Sequence, residues 1–259
     1  MQATYKTAIF KSRILFLVKR TLIRFYFINL VLDNSAMKKL FARIPEKVPE
    51  NLKSLIKSIP EEIANMVSHA VGLLCFLIAL PLLIQRVQGS DRALIGCIIF
   101  GISLFMVYCS STIYHSVYKL EIKRKLRFFD HMAIYFLIAG SFTPFILIHL
   151  RTTLGYTVLF ALWLMVLIGS VFKYFFTHKF NVVSTLAYVS MGAMAFFIIK
   201  PLSVQIEASS LNWLAVGGAS YLIGVIFYLR KTLYMNHFIW HIFVLAGSLS
   251  HFIAIWQLF

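Results

Sequence analysis

The stretch Asn236–His241 reads NHFIWH and is followed by a nearly unbroken apolar run to Phe259. This length and composition predict a helix that can cross a bilayer. His237 and His241 are four residues apart, so they lie one above the other on one face of that helix. The spacing lets two imidazoles reach one metal ion, and an ionisable group is costly inside a membrane, so the pair indicates a functional site.

The composition of the whole chain is that of an integral membrane protein. Of 259 residues, 60% are hydrophobic and 13% are charged, against about 25% charged in soluble domains. The apolar runs predict an all-α fold, a bundle of seven transmembrane helices. We place the spans at Glu62–Gln85, Arg92–Tyr118, Arg127–His149, Thr153–Tyr174, Val182–Lys200, Leu211–Leu229 and Asn236–Leu258.

Residues 1–60 are predicted to be a basic N-terminal extension ahead of a membrane domain at 61–259. The run Ile14–Leu32 is apolar, but its three basic residues favour an amphipathic segment at the membrane interface, or a disordered one, over a spanning helix. Met37 begins a sequence typical of a bacterial start. Residues 1–36 could therefore also be an extension outside the native protein.

The basic residues predict the orientation of the bundle. Twelve of the 25 Lys and Arg precede Ile63. With a cytoplasmic N-terminus, the loops on the cytoplasmic side carry nine further Lys and Arg and the outer loops four. Because Lys and Arg concentrate on the cytoplasmic side, this count predicts a cytoplasmic N-terminus and an outer C-terminus. The bacterial type of start at Met37 favours a bacterial inner membrane. The net charge of +16 is then a topology signal, with membrane lipids and not nucleic acid as partners.

This orientation brings polar residues of four spans to one membrane face. They are Ser111 and His115 at the end of the second span, Asp130 at the start of the third, His237 and His241 at the start of the seventh, and Glu62, Asn65, Ser68 and His69 at the start of the first.

We assign His115, His237 and His241 as ligands of a zinc ion, because three imidazoles with an open fourth position are typical of catalytic zinc sites. Zinc is preferred to iron because neither a pair of carboxylates nor cysteines accompany the histidines. Asp130 is expected to hydrogen-bond the water at the metal or accept its proton, and Ser111 to hold that water or a substrate carbonyl. Glu62, Asn65 and His69 are expected around the ligands.

The alternative for each histidine is a hydrogen bond between helices, which is the commoner role of a single intramembrane imidazole. His131 is expected to meet a neighbouring helix or lipid head groups. His149 and His178 are expected in loops, and His251 deeper in the last span, as a packing or relay residue.

The motifs EEIANMVSH at Glu61–His69, Ser111-x3-His115, Asp130 and His237-x3-His241 together resemble the hemolysin III proteins of bacteria. More distantly they resemble the adiponectin and progestin receptor (PAQR) family and the alkaline ceramidases. The resemblance implies seven helices with a cytoplasmic N-terminus and a zinc ion near the cytoplasmic face. It also implies zinc-dependent hydrolysis of a lipid amide.

Two functions follow as expectations. The first is a zinc hydrolase that acts on a lipid amide or ester from the bilayer, with an acyl lipid as its substrate. The second is a cytolytic, pore-forming protein, or a receptor or sensor with a structural zinc. Ion transport would need ionisable residues at the midplane of several helices, where only His251 comes close. The sequence identifies neither a protein partner nor an oligomeric state.

Overall fold

The computed structural model describes residues 50–177 and 179–259, and only the backbone of residues 50–57. Within these ranges the fold is entirely helical and has no strand. The predictions for residues 1–49 and for His178 lie outside the described residues. The helices are α1 (Glu50–Arg86), α2 (Asp91–Ser116), α3 (Leu120–His149), α4 (Thr153–Phe176), α5 (Asn181–Ala193), α6 (Ala195–Ser203), α7 (Ala208–Leu229) and α8 (Asn236–Trp256).

Seven of the helical segments are long and apolar enough to cross a membrane, with α5 and α6 together forming one of them. The fold class predicted from the sequence is therefore confirmed. The chain divides into two compact units, Met1–Pro60 and Glu61–Phe259. The prediction that residues 1–60 are an extension to a separate membrane domain stays a prediction.

Two helices begin well before their predicted starts. The first starts at Glu50 instead of Glu62, so Pro60 lies inside the helix. α3 starts at Leu120 instead of Arg127. Its first residues, LEIKRKLR, are mostly strong helix formers with an acid in the first turn, so the helix continues beyond the apolar segment from which the span was predicted. Lys123 and Arg124 are consequently helical and not in a loop.

The fifth span is not the continuous helix predicted at Val182–Lys200. It is interrupted at Met194, where two backbone N–H groups, those of Met194 and Phe197, donate to carbonyls three residues back instead of four. This tighter hydrogen-bonding pattern is that of a 3₁₀ turn and separates α5 from α6.

The third span is the centre of the bundle. The apolar part of α3 is 61% buried, more than that of any other span. α3 packs against α2 on one side and α4 on the other, while α7 packs mainly against α8. Large apolar side chains such as Phe160 and Phe196 are exposed on the outer helices, as expected of a surface that faces lipid.

Glycines set two of the helix contacts. A Cβ at Gly96 of α2 would lie 2.9 Å from the Pro144 Cα of α3, and one at Gly217 of α7 would lie 3.1 Å from the Gly247 carbonyl oxygen of α8. Close approach of this kind is the usual role of small residues between membrane helices. The neighbouring Gly218 faces open space.

Candidate metal centre

Three histidines from two helices meet at one end of the bundle. His115 lies in the last turn of α2, and His237 and His241 lie in the first two turns of α8. One ring nitrogen of each lies within 4.8 Å of the corresponding atoms of the other two. His115 and His241 are buried and His237 is half-buried.

The chemistry of this cluster fits a metal ion. The Nε2 atoms of all three imidazoles are buried and have no hydrogen-bond partner among the described residues. Buried polar atoms are normally hydrogen-bonded, so three unpaired nitrogens at one point call for a shared partner. A divalent cation that accepts imidazole ligands would satisfy all three.

A carboxylate holds the outer nitrogen of His115. The Glu62 Oε2 atom lies 2.8 Å from His115 Nδ1 and 2.5 Å from Lys123 Nζ. When Nδ1 donates its proton to the carboxylate, the Nε2 lone pair is free to face the cluster. Lys123 offsets the charge of Glu62 and also lies over the ring of Tyr114, 4.7 Å from its centroid.

The connection between α2 and α3 adds a phenol beside this carboxylate. Burial, and then the negative charge of Glu62, raises the pKa of the Tyr118 phenol. Both effects disfavour the phenolate, so Tyr118 remains neutral at physiological pH.

The Ser68 hydroxyl of α1 holds the His241 ring as Glu62 holds that of His115. Ser68 Oγ donates to the Asn65 carbonyl at 2.9 Å and lies 3.4 Å from His241 Nδ1. Because the hydroxyl proton is already used, the Ser68 oxygen accepts from Nδ1, which again leaves Nε2 unprotonated. The Asn65 side chain is buried, with its Oδ1 atom unpaired within the described ranges.

His69 contacts the cluster by stacking on the ring of His241. Its ring lies 3.7 Å from that of His241 at an angle of 16°, and it meets Tyr108 edge-on at 5.3 Å. The stacked position keeps the His241 ring in place. His69 does not belong to the group of histidines whose nitrogens converge.

Asp130 and Ser111 adjoin the cluster. The Asp130 carboxyl is buried in α3, near the His115 imidazole and the Ser111 hydroxyl. The hydroxyl lies outside hydrogen-bond geometry from the carboxyl and is unpaired in the described part of the chain. A carboxyl and a hydroxyl thus lie near the converging imidazoles.

The start of α8 is fixed by α1. Glu61 Oε1 accepts a hydrogen bond from the His237 backbone N–H at 3.0 Å. The carboxylate therefore caps the positive end of the helix that carries two of the histidines. Asn236 also donates to the Phe227 and Tyr228 carbonyls at 3.3 and 3.4 Å, which ties α8 to the end of α7.

The structure thus brings together every residue that the sequence analysis placed at the site, although their chemical roles stay predictions. Sequence reasoning assigned no role to Ser68, Lys123 or Glu61. Ser68 belongs to the motif at Glu61–His69 and was predicted at the membrane depth of the three histidines. Its spacing from Asn65 could have indicated a role at the site. Lys123 was missed because it was placed in a loop.

None of the other histidines in the described residues belongs to the group whose nitrogens converge. We expected His149 to lie in a loop, but it is the last residue of α3. His131 accepts from Arg127 Nε at 3.5 Å. His251 packs edge-on against Tyr221 at 5.3 Å, and its Nδ1 atom is buried and unpaired among the described residues. Tyr221 in turn shares a hydrogen bond of 3.0 Å with Ser248.

Seven spans and a buried three-histidine cluster define an integral membrane protein with a candidate metal centre. A family model described as "Haemolysin-III related" matches residues 57–252. The chain therefore belongs to the haemolysin III family, and the resemblance stated from the motifs is confirmed.

Relatives from bacteria and from animals match the same region. The chain is 40% identical over 197 residues to "Hemolysin-3" of Bacillus cereus, covering 75% of this chain and 90% of the relative. It is 41% identical over 197 residues to "Hemolysin-3 homolog" of Bacillus subtilis (strain 168), covering 75% and 92%. It is 27% identical over 203 residues to "Monocyte to macrophage differentiation factor" of Homo sapiens, covering 76% and 84%.

Proposed function

We propose that this protein is a zinc-dependent hydrolase of a lipid amide or ester within the bilayer. The observation that carries the proposal is the group of three buried, unpaired Nε2 atoms, two of which belong to rings that Glu62 and Ser68 hold at the other nitrogen. Donors of this type suit zinc, and the free cysteines Cys75, Cys97 and Cys109 are not part of the cluster.

A zinc ion bound by His115, His237 and His241 supplies Lewis-acid chemistry that polarises a carbonyl and activates water at neutral pH. The other residues of the chain support that chemistry. Asp130 accepts the proton of the attacking water and returns it to the leaving amine or alcohol. Ser111 donates its unpaired hydroxyl to the substrate carbonyl, and Glu62 and Ser68 keep two ligand rings in the productive orientation. Burial of the site strengthens each of these interactions.

The substrate class follows from the surroundings of the site. The cluster lies at the ends of membrane spans whose outer surfaces expose large apolar side chains. An acyl lipid can diffuse to such a site within the bilayer, whereas a water-soluble amide would have to leave water. The proposed substrate is therefore a lipid with an amide- or ester-linked fatty acid.

The proposal places the cluster at the cytoplasmic side of a bacterial inner membrane, with the N-terminus inside. The nine Lys and Arg at the helix ends and connections of the cluster's side, against four at the opposite end, support it. The bacterial relatives support the choice of organism class.

The test is release of fatty acid from a mixture of lipid amides and esters by the protein in lipid nanodiscs. Wild type is compared with Asp130→Asn and with the control Asp91→Asn, an exposed acid at the first turn of α2. We expect wild type and Asp91→Asn to release fatty acid equally, and Asp130→Asn to retain zinc but to be about a hundredfold slower or worse. Equal rates for both variants would overturn the role of Asp130.

A second candidate is a cytolytic protein, or a sensor, that uses zinc structurally. It is favoured by the name of the Bacillus cereus relative, "Hemolysin-3". A protein that binds zinc stoichiometrically, releases no fatty acid from any lipid tested and lyses erythrocytes would support this candidate over the hydrolase.

A further inference from the structure

A second feature of the bundle lies where the start of α3 meets the end of α4. The first turns of α3 and the last turn of α4 enclose a groove of about 630 Å³, which we call the basic aromatic groove. Its positive residues are Arg124, Lys125 and Lys179, and its aromatic walls include Phe128, Tyr174 and Phe176. None of the described residues that line it is acidic.

The two walls of the groove are joined by aromatic contacts. The rings of Phe128 in α3 and Tyr174 in α4 meet edge-on, with centroids 6.0 Å apart. The outer faces of these rings remain available, since Tyr174 is 70% exposed and the neighbouring Phe175 68% exposed. Aromatic rings at the ends of membrane spans favour the boundary between head groups and acyl chains.

The charges near the groove have no acidic partner within it. Arg124, Lys125 and Lys179 are exposed. One residue before Tyr174, the Lys173 side chain is fully buried, and its Nζ atom has no hydrogen-bond partner among the described residues. A buried, unpaired ammonium is costly. Lys173 does not line the groove, so the three exposed basic residues are the ones that can meet an anion there.

We propose that the basic aromatic groove binds an acidic phospholipid. Its phosphate lies among Arg124, Lys125 and Lys179, and the upper part of its acyl chains lies on the aromatic walls. Charge complementarity selects an anion, and the exposed rings select a lipid over a free phosphate, which would leave them in contact with water. None of the described residues that line the groove is one of the three converging histidines, and the proposal does not depend on the proposed hydrolase activity.

The test is titration of the detergent-purified full chain with phosphatidylglycerol, phosphatidylcholine or inorganic phosphate, with bound lipid counted by native mass spectrometry. The groove variant is Arg124→Gln with Lys125→Gln and Lys179→Gln. The matched control removes three exposed positive charges from the opposite end of the bundle, by Arg92→Gln, Arg151→Gln and Lys200→Gln.

We expect wild type and control to bind phosphatidylglycerol in preference to phosphatidylcholine, and the groove variant to bind it about a hundredfold more weakly, since each basic residue near an anionic head group contributes roughly a factor of five. The single variant Lys179→Gln, at a position between helices, should bind phosphatidylglycerol about fivefold more weakly. It replaces the triple variant if the triple variant does not fold. Equal loss in groove and control variants, or no preference for phosphatidylglycerol, would overturn the site. If millimolar inorganic phosphate displaces phosphatidylglycerol, the groove is a site for a free anion, and that result would also overturn the proposed lipid site.

Discussion

Glu62 decides how firmly the candidate centre can hold a metal. Its carboxylate accepts from His115 Nδ1 and pairs with Lys123, so one side chain orients a ligand ring and anchors the start of α3. Partners of this kind raise the basicity of the ligand and fix its ring.

We predict that Glu62→Gln lowers zinc affinity by about tenfold to a hundredfold, because the amide is a weaker acceptor for the imidazole N–H. Competition with a chromogenic chelator measures the change. Glu121→Gln is the control, since that exposed acid pairs with the exposed Lys119. Unchanged affinity in Glu62→Gln would show that the contact with His115 does not support metal binding.

The residues themselves show which parts of the site the sequence could predict. His115, His237 and His241 could be grouped because helical spacing and alternating span direction place them at one face. Ser68 and Lys123 act through particular side-chain contacts, at 3.4 Å to His241 and 2.5 Å to Glu62. Such contacts depend on rotamers and on the true start of α3, which hydropathy does not determine.

At the scale of the elements, the apolar runs predicted all seven spans but not the limits of the helices. A span ends where apolar residues end, whereas a helix ends where its backbone hydrogen bonds end. α3 continues through a charged turn for this reason, and the break at Met194 leaves the hydropathy of the fifth span unchanged.

The contact between α2 and α3 gives a prediction at the same scale. Gly96→Ala should lower the temperature of thermal aggregation in detergent, because the new Cβ would lie 2.9 Å from the Pro144 backbone and overpacking costs about 1–3 kcal/mol. Gly218→Ala is the matched control in α7, where no atom lies within 4 Å, and should be neutral or slightly stabilising. Equal behaviour of the two variants would mean that α2 and α3 are not in such close contact.

For the whole molecule, the proposed orientation determines which compartment the centre faces. A membrane-impermeant maleimide tests it on single cysteines introduced in a variant without the three native ones. Lys179→Cys and Arg230→Cys should be labelled only after the cells are opened, and Arg151→Cys and Gln205→Cys should be labelled in intact cells. The reverse pattern would place the centre on the outer side.

Zinc content is the most direct test of the central claim that the histidine cluster is a metal centre. Elemental analysis of the detergent-purified protein should give about one zinc per chain for wild type and for the control His149→Ala, a histidine at the far end of α3. His115→Ala and His237→Ala should each lose most of it, because two imidazoles rarely retain zinc against dialysis. Wild type without zinc, or the same zinc content in all four proteins, would contradict the claim.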